Sequence, residues 1–319
     1  MQTDISSASQ WPSLAYNHWK DTYATVHLWT QIVGKIRLRT MPWLNHSWHV
    51  TLYISPHGLS TGSMPYSQGI FQLDFDFIRH RLKISTSNGR EETILLQPRT
   101  VADFYEELFR KLRELGIDVT IFSMPSELDN AIPFEEDNIH QAYDARQMEQ
   151  FWQALVRIHN VFTRFRARFT GKCSPVHFFW GAFDLAVTRF SGRDAPRHEG
   201  KAPNMPARVM QEAYSHEVSS CGFWPGNDAY PHASFYAYCY PAPEAFAAQP
   251  VQPEAAFFSP EMGEFLLSYD AVQQSAHPEE TLMAFLQTTY EAAAHTAHWD
   301  RHSLECDLSS FENDYGCFR

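Results

Sequence analysis

The strongest constraint on the fold is a strict alternation of apolar and polar residues near the start of the chain. Within residues 69–77, Phe or Leu occupies positions 71, 73, 75 and 77, and Asp74 and Asp76 stand between them. Because successive side chains of a strand point to opposite faces, this segment predicts a strand of an antiparallel sheet with one buried face. Asp74 and Asp76 then share a solvated face, and a carboxylate pair with a chemical role is the alternative.

Several other segments have the composition of strands. Residues 46–55 alternate in the same way, and residues 82–85 and 93–96 flank an Asn88-Gly89 pair that favours the tight turn of a hairpin. Five more segments predict strands, which are residues 117–122, 175–190, 212–223, 234–240 and 264–269.

Segments with helical periodicity lie between these strands. Residues 100–115 carry apolar side chains at helical spacing, with Thr100 as the N-cap and Gly116 after the end. Residues 146–170 have a second apolar stripe of this kind. Further helices are predicted at residues 16–34, where a glycine at position 34 is the expected stop, and at residues 278–304.

The order helix, strands, helix occurs twice, which predicts an α+β protein with mostly antiparallel sheets. The two halves, residues 1–130 and 131–319, each contain a Gly-Lys pair after the first helix and a Leu-Leu pair in a later strand. We interpret this order as an internal duplication with a pocket between the two halves. A chance recurrence of a common arrangement is the alternative.

Composition excludes several classes of protein. The 319 residues carry a formal net charge of −12, which opposes non-specific attraction to nucleic acid or to anionic lipid. No apolar run approaches the roughly 18 residues of a membrane-spanning helix, and residues 1–10 lack the features of a signal peptide, so we expect a cytoplasmic protein. The five cysteines have no metal or redox spacing and are expected to be reduced thiols.

The segment of residues 172–193 is the richest in candidate site residues, because Lys172, His177, Asp184 and Arg189 interrupt an aromatic run. If residues 175–190 form one strand, His177 and Arg189 lie on one face and Asp184 on the other. A bulge at the glycine of position 181 would bring all three together. The structural alternative is that Asp184 is buried and pairs with Arg189 or with backbone donors.

A second candidate segment places His216 beside Glu217, shortly before Trp224. Adjacent residues of a strand point in opposite directions, so these two cannot form a dyad with each other, but either could meet His177, Asp184 or Lys172 across the sheet. A hydrogen-bonded core histidine and a surface glutamate are the structural alternative.

Together these segments define the predicted site. The predicted catalytic residues are His177, Asp184, His216 and Glu217, the predicted substrate-binding residues are Lys172, Trp180, Arg189 and Trp224, and the predicted metal ligands are His177 and His216. The spacing His46-x-x-His49 and the histidines at positions 295, 298 and 302 are weaker metal candidates, because no acidic partner follows at a metalloprotease distance or because a polar helix surface explains them.

Four sequence segments are similar to a known protein family. They are WPSLAYNHWKDTYATVHLWTQIVGKIRL at residues 11–38, GKCSPVHFFWGAFDLAVTRFSGR at residues 171–193, EAYSHEVSSCGFWPG at residues 212–226 and HWDR at residues 298–301. These phrases resemble an uncharacterised, mainly bacterial family known only as a domain of unknown function, and the likeness spans nearly the whole chain. The resemblance implies no reaction, cofactor or catalytic residue.

The sequence therefore leads to two functional hypotheses. The first is an enzyme that acts on a small molecule in an aromatic-walled pocket, either with a divalent metal on His177 and His216 or with a histidine as general base. In the second version Lys172 holds an anionic group of the substrate. The alternative is a non-catalytic protein that binds a small ligand or another protein, in which the aromatic residues are core and the polar residues pair structurally.

Overall fold

The computed structural model describes residues 11–200, 202–306 and 308. Within these residues the chain forms seven α-helices and two antiparallel sheets of six strands each, which confirms the predicted α+β class. Residues 1–10 and most of the chain after residue 305 lie outside the described residues. One continuous core of buried apolar side chains runs through both sheets and the helices between them.

The helices are α1 (Tyr16–Thr40), α2 (Val101–Glu114), α3 (Ala145–Ala167), α4 (Ala207–Ala213), α5 (Tyr269–Gln273), α6 (Pro278–Thr296) and α7 (Arg301–Leu304). The four predicted helices begin within one residue of the predicted positions, but the predicted helix at residues 278–304 is divided in two, and α4 and α5 were not predicted. Thr100 caps α2 by accepting a hydrogen bond from the backbone N–H of Asp103, as predicted, and the Asp144 carboxylate caps α3 in the same way. Within the described residues no helix is long and apolar enough to cross a membrane.

Helix α1 continues past the stop that Gly34 predicts. It runs to Thr40 and is buried on almost every side. A Cβ atom at position 34 would lie 2.2 Å from the indole of Trp180, so glycine is required here for a close approach of two elements and not for a turn. The predicted end of the helix was wrong for this reason.

The first sheet contains β1 (Tyr53–Ser55), β2 (Gly58–Ser60), β3 (Met64–Tyr66), β4 (Gly69–Asp76), β5 (Arg81–Thr86) and β6 (Glu91–Leu95). The strand order is β1-β2-β4-β5-β6, and β3 also pairs with β4. The alternating segment is β4, and the predicted hairpin is β5 and β6.

Two predicted strands of the first half are not formed as expected. Residues 45–47 make a short 3-10 turn, because His46 and Ser47 adopt positive φ angles of 56° and 59° that a strand does not allow. Only the last residues of the segment 46–55 pair as a strand. Residues 117–122 have no partner strand, and they form an irregular connection.

The second sheet contains β7 (His177–Phe179), β8 (Asp184–Asp194), β9 (His216–Trp224), β10 (Ser234–Tyr240), β11 (Phe257–Ser259) and β12 (Glu264–Ser268). Its strand order is β11-β12-β10-β9-β8-β7, which differs from that of the first sheet. The internal duplication is therefore not confirmed. An antiparallel bridge between Leu52 and Phe178 connects the edges of the two sheets.

The two faces of the second sheet differ in character. One face contacts α3 and α6 and carries fully buried apolar side chains such as Leu185, Phe223 and Phe235. The opposite face carries Asp184 and a row of tyrosines from β10. The second face is therefore the candidate for a functional site, because it carries polar side chains where the first carries apolar ones.

Candidate functional site

The aromatic segment predicted as a single strand is a hairpin, in which residues 180–183 form the turn between β7 and β8. His177 lies opposite Ala186, two residues along β8 from Asp184. Opposed residues point to the same face, so His177 shares the face of Asp184, while Arg189 lies on the other face. The single-strand interpretation was wrong, because the turn reverses the chain and resets the alternation.

Tyrosine side chains line the face that carries Asp184. Alternation along β10 directs Tyr236, Tyr238 and Tyr240 to this face. Tyr236 lies opposite Gly222 on β9, where a Cβ atom would lie 2.3 Å from the Tyr236 hydroxyl. The glycine therefore lets the Tyr236 ring lie across β9 and donate its hydroxyl hydrogen bond to Asp184 Oδ2.

A hydrogen-bonded network continues this surface along the sheet. The rings of Tyr236 and Tyr238 are stacked, with centroids 6.0 Å apart. The Tyr238 hydroxyl is 2.8 Å from the hydroxyl of Tyr214, which follows α4. On the neighbouring strands, the hydroxyls of Thr188 and Ser220 are also 2.8 Å apart. The polar side chains at this end of the face therefore form hydrogen bonds with one another through their hydroxyl groups.

Helix α1 positions two loops at this face through a polar stripe of His27, Gln31 and Lys35, each one turn from the next. His27 Nε2 donates to the carbonyl of Gly181 in the β7–β8 turn at 2.8 Å. Gln31 clamps Ser126 with two hydrogen bonds, one to its carbonyl at 3.0 Å and one from its N–H at 2.8 Å. Burial lowers the pKa of His27 to about 4, so this ring is neutral and serves as a structural donor.

The loop held by Gln31 brings Glu127 to the face. Glu127 has a positive φ angle of 62°, and its carboxylate packs directly on Gly181, where a Cβ atom would lie 1.9 Å from Oε1. Lys35 Nζ donates to the hydroxyl of Ser126 at 2.9 Å, and it lies close enough to Glu127 for a favourable charge interaction. Glycine at position 181 is therefore needed for the approach of a carboxylate.

Asp184 follows a residue in an unfavourable backbone conformation. Phe183 has a φ angle of 58°, which bulky residues rarely adopt. Its fully buried ring contacts the rings of Tyr23, Phe151 and Phe178, and this packing holds the turn in place. The turn fixes where β8 begins and therefore where Asp184 stands.

Three carboxyl groups of this face have raised pKa values. Desolvation raises the pKa of Asp184 to about 7 against the effect of the Tyr236 hydrogen bond, and repulsion from Glu127 adds to it. Desolvation and the charge of Asp184 raise the pKa of Glu264 on β12 to about 7. Desolvation also raises the pKa of Glu127, although Lys35 partly opposes this. Among the described residues, Asp184 forms no ion pair.

The group formed by Asp184, Glu127, Glu264, Tyr214, Tyr236 and Tyr238 is called the Asp184 recess below. Asp184 at its base is 7% exposed. Glu264 and the three tyrosines are half-buried, and Glu127 keeps exposed surface although protein atoms surround its carboxyl group. The recess therefore keeps some solvent-exposed surface.

The sequence-predicted residues Lys172 and His216 lie at the other end of the face, on either side of His46. Lys172 Nζ is 2.5 Å from His46 Nε2, and the ring of His216 makes an edge contact with the ring of His46. His216 Nε2 also lies 3.5 Å from the carboxylate of Asp194.

His177 and Arg189 are buried without a charged partner in the part of the chain that the structure describes. Neither ring nitrogen of His177 has a hydrogen-bond partner there, and desolvation with a contribution from Arg166 lowers the pKa of His177 to about 3. Arg189, on the opposite face, donates to the carbonyl of Phe165 and stacks on the rings of Phe165 and Tyr290. The pairing of Arg189 with Asp184, one of the structural alternatives, is not formed, because the two side chains lie on opposite faces of the sheet.

The remaining predicted residues have structural contacts. Glu217 forms an ion pair with Arg193 at 2.6 Å. Trp180 donates from its indole N–H to the carbonyl of Val50 at 2.8 Å, and Trp224 stacks on Tyr230. Of the predicted catalytic residues, the structure thus places only Asp184 in the Asp184 recess.

No three His, Cys, Asp or Glu side chains of the described residues lie close enough together to hold a metal ion. The ring of His177 contacts the rings of Trp48 and Phe179, and His216 lies beside Asp194 and His46. The arrangement therefore gives no support to the metal version of the hypothesis. The four cysteines within the described part of the chain carry free thiols, as expected.

Two open grooves lie away from the recess. One, of about 410 Å³, follows α2 and includes Asp103, Tyr105 and Arg113. The other, of about 300 Å³, crosses the first sheet and includes Asp74 and Asp76 beside basic side chains. We favour the recess over both grooves, because it contains a buried carboxyl group, Asp184, that has a raised pKa and no ion pair among the described residues.

Sequence reasoning missed most of the recess. The alternation of tyrosines in SFYAYCY was a readable signal for one tyrosine-lined face, and Gly222 opposite Tyr236 could have been found once the register was known. No sequence pattern identified Glu127, because it lies in an irregular loop between the two sheets.

Comparison with known proteins gives a family for this chain and nothing beyond it. No curated protein and no solved structure matches the sequence. A family model described only as a family of unknown function matches residues 11–306, which cover nearly all of the described chain. The protein therefore belongs to the DUF5996 family.

Proposed function

We propose that the protein is an enzyme that binds a small polar molecule in the Asp184 recess and exchanges a proton with it through Asp184. The observation that carries this proposal is a buried carboxyl group with a pKa of about 7, bonded to Tyr236 and without an ion pair among the described residues. A general acid or base works best when its pKa is near the working pH.

A purely structural role explains this arrangement poorly. Burying an ionisable carboxyl group without a cation destabilises a fold, and structural carboxylates are therefore usually paired. Asp184 also faces two further acids, Glu127 and Glu264, which makes its ionisation still less favourable. Strongly perturbed carboxyl groups of this kind cluster at functional sites.

The walls of the recess indicate the kind of ligand. Tyr214, Tyr236 and Tyr238 offer apolar rings and hydroxyl groups, and burial raises their pKa values, so the hydroxyls stay neutral. Such walls suit a small molecule with an apolar part and with hydroxyl or amine groups. The ligand group next to Asp184 would supply the partner that this carboxyl group lacks among the charged side chains of the described residues.

The test compares the wild-type protein with Asp184→Asn in a metabolite extract followed by untargeted mass spectrometry. Asp194→Asn is the matched control, because Asp194 lies on the same strand and its side chain is 94% exposed. We expect a small metabolite to be consumed by the wild type and by Asp194→Asn but not by Asp184→Asn. Binding detected by ligand-observed NMR without consumption would refute proton transfer, and the absence of both would refute the site.

A further inference from the structure

A second group of reactive side chains lies at the far end of β8, around Lys172. Phe190, which underlies this group, is six residues from Asp184, or about 20 Å along an extended strand. The group consists of Lys172, His46, Glu212 and the two rings of Trp48 and Phe190, and we call it the Lys172 cluster. It shares no residue with the Asp184 recess.

The contact between Lys172 and His46 defines the chemistry of the cluster. Lys172 Nζ lies 2.5 Å from His46 Nε2. His46 Nδ1 is 3.1 Å from the backbone carbonyl of Ala213, which accepts only a donated hydrogen, so Nδ1 carries a proton and Nε2 faces Lys172 with its lone pair. One proton can therefore move from the ammonium to the imidazole without changing the net charge of the pair.

The chain holds His46 in this position against backbone strain. Both His46 and Ser47 have left-handed φ angles, which are uncommon for residues other than glycine and unusual in succession. The Glu212 carboxylate fixes the strained turn by accepting the backbone N–H of His46 at 2.7 Å. The second oxygen of Glu212 is buried and has no hydrogen-bond partner among the described residues, so it leaves a negative charge available beside the pair.

The surroundings of Lys172 favour a reactive amine that a small molecule can reach. Nζ lies over the rings of Phe190 and Trp48, at 4.9 Å and 5.6 Å from their centroids. Desolvation lowers the pKa of Lys172 although Glu212 opposes this, and desolvation together with the charge of Lys172 lowers the pKa of His46. The Lys172 side chain nevertheless stays exposed.

We infer that Lys172 forms an imine with the carbonyl group of a small aldehyde or ketone, with His46 as the proton acceptor and donor. A proton passes from Nζ to His46 Nε2, and the amine lone pair forms a C–N bond as the carbonyl π bond breaks. The former carbonyl oxygen then takes one of the two protons that remain on the nitrogen, which leaves a neutral carbinolamine with a nitrogen lone pair. The nitrogen lone pair then forms C=N while the hydroxyl group leaves as water with the proton of His46. The products are a protonated imine, which the unpaired Glu212 oxygen stabilises, and one water molecule.

The test uses propanal and sodium cyanoborohydride on the full-length protein, with the propylation of each lysine quantified by peptide mass spectrometry. Lys20 is the internal control, because its side chain is 47% exposed and it has no histidine contact among the described residues. We expect Lys172 to react about tenfold faster than Lys20 at pH 7, because His46 accepts the ammonium proton and the two rings partly exclude water from Nζ. Equal rates for the two lysines would overturn the inference.

The His46→Gln variant separates the proposed role of the histidine from simple exposure. The rate at Lys172 should fall to that of Lys20, while the rate at Lys20 stays unchanged. A folded His46→Gln protein that still shows fast reaction at Lys172 would overturn the role of His46. If circular dichroism shows that this variant is unfolded, the ratio of the two rates in the wild type between pH 6 and pH 9 decides, and it should be largest at the lower pH.

Discussion

Asp76 in the first sheet and Asp184 in the second are buried to nearly the same degree, with 6% and 7% of their surfaces exposed, yet their pKa values shift in opposite directions. Desolvation pushes the pKa of Asp76 upward, but the backbone N–H of Arg79 and the guanidinium groups of Arg81 and Arg79 outweigh it and hold the pKa below its usual value. For Asp184, desolvation prevails and the pKa rises to about 7.

The comparison shows that partners, and not burial, decide whether a carboxyl group serves the fold. Asp76 Oδ1 accepts the backbone N–H groups of Ile78 and Arg79, and its other oxygen pairs with Arg79 and Arg81. Asp184 has the Tyr236 hydroxyl and two acidic neighbours instead. The fold depends on the charge of Asp76, whereas it tolerates Asp184 only at a cost in stability.

The largest expected effect comes from replacing each aspartate with asparagine. Asp76→Asn should lower the free energy of unfolding at pH 8 by about 2 to 3 kcal/mol, because two arginines and two backbone donors lose a charged acceptor. Asp184→Asn should leave it unchanged or raise it by about 1 kcal/mol, because a destabilising buried charge is removed. Urea denaturation followed by circular dichroism measures both changes. Similar destabilisation by the two substitutions would contradict the comparison.

The second prediction concerns the dependence of stability on pH. Between the usual carboxyl pKa of about 4 and the folded value of about 7, folded Asp184 keeps a proton that the unfolded chain has released, so the free energy of unfolding falls as pH rises. Glu264 contributes in the same direction. Asp76 acts in the opposite sense, and only as the pH falls below its usual pKa.

Asp184→Asn should therefore reduce the loss of stability between pH 5 and pH 8 by about 2 kcal/mol relative to the wild type. Denaturation curves at intervals of one pH unit provide the measurement. Because the two proteins differ only at position 184, the difference between the two profiles reports Asp184 together with its effect on the pKa of Glu264. If the two profiles are parallel, the pKa of Asp184 is not raised in the folded protein, and the prediction is wrong.

The same pair of aspartates shows what could be predicted from the sequence. Asp76 lies in a segment whose alternation alone predicts the strand, and its arginine partners follow within five residues. Local patterns of this kind also predicted most of the helices, the β5–β6 hairpin and the α+β class. Asp184 was recognised as an unusual charge in an aromatic run, but its partners could not be predicted.

The reason is that the recess depends on long-range register. Tyr236 is 52 residues from Asp184, and the hydrogen bond between them requires both the hairpin turn at residues 180–183 and the pairing of Tyr236 with Gly222. The aromatic composition of the turn conceals it, because Phe183 adopts a left-handed conformation that usually indicates glycine or asparagine. Glu127 arrives from a different part of the chain altogether.

The third prediction tests the glycine that permits this hydrogen bond. Gly222→Ala adds a Cβ atom 2.3 Å from the Tyr236 hydroxyl, so the ring must move away from Asp184. We expect the free energy of unfolding to fall by about 1 to 2 kcal/mol through overpacking. Ser220→Ala is the control on the same strand and face, since it removes an atom instead of adding one. A crystal structure of Gly222→Ala with Tyr236 in place would refute this explanation.

The smallest effect is expected for Tyr236→Phe, which removes one hydroxyl group and leaves the ring. That hydroxyl lowers the pKa of Asp184 by stabilising the carboxylate, so its loss should raise the pKa further, by up to about one unit. The shift is measurable by carbon-detected NMR of the Asp184 carboxyl during a pH titration, with Tyr238→Phe as the neighbouring control. Asp76 should titrate as in the wild type in both variants, because Arg79 and Arg81 set its pKa. A fall in the pKa of Asp184 would mean that Tyr236 stabilises the protonated acid, and Asp184 would then be suited to donate its proton only after that bond breaks.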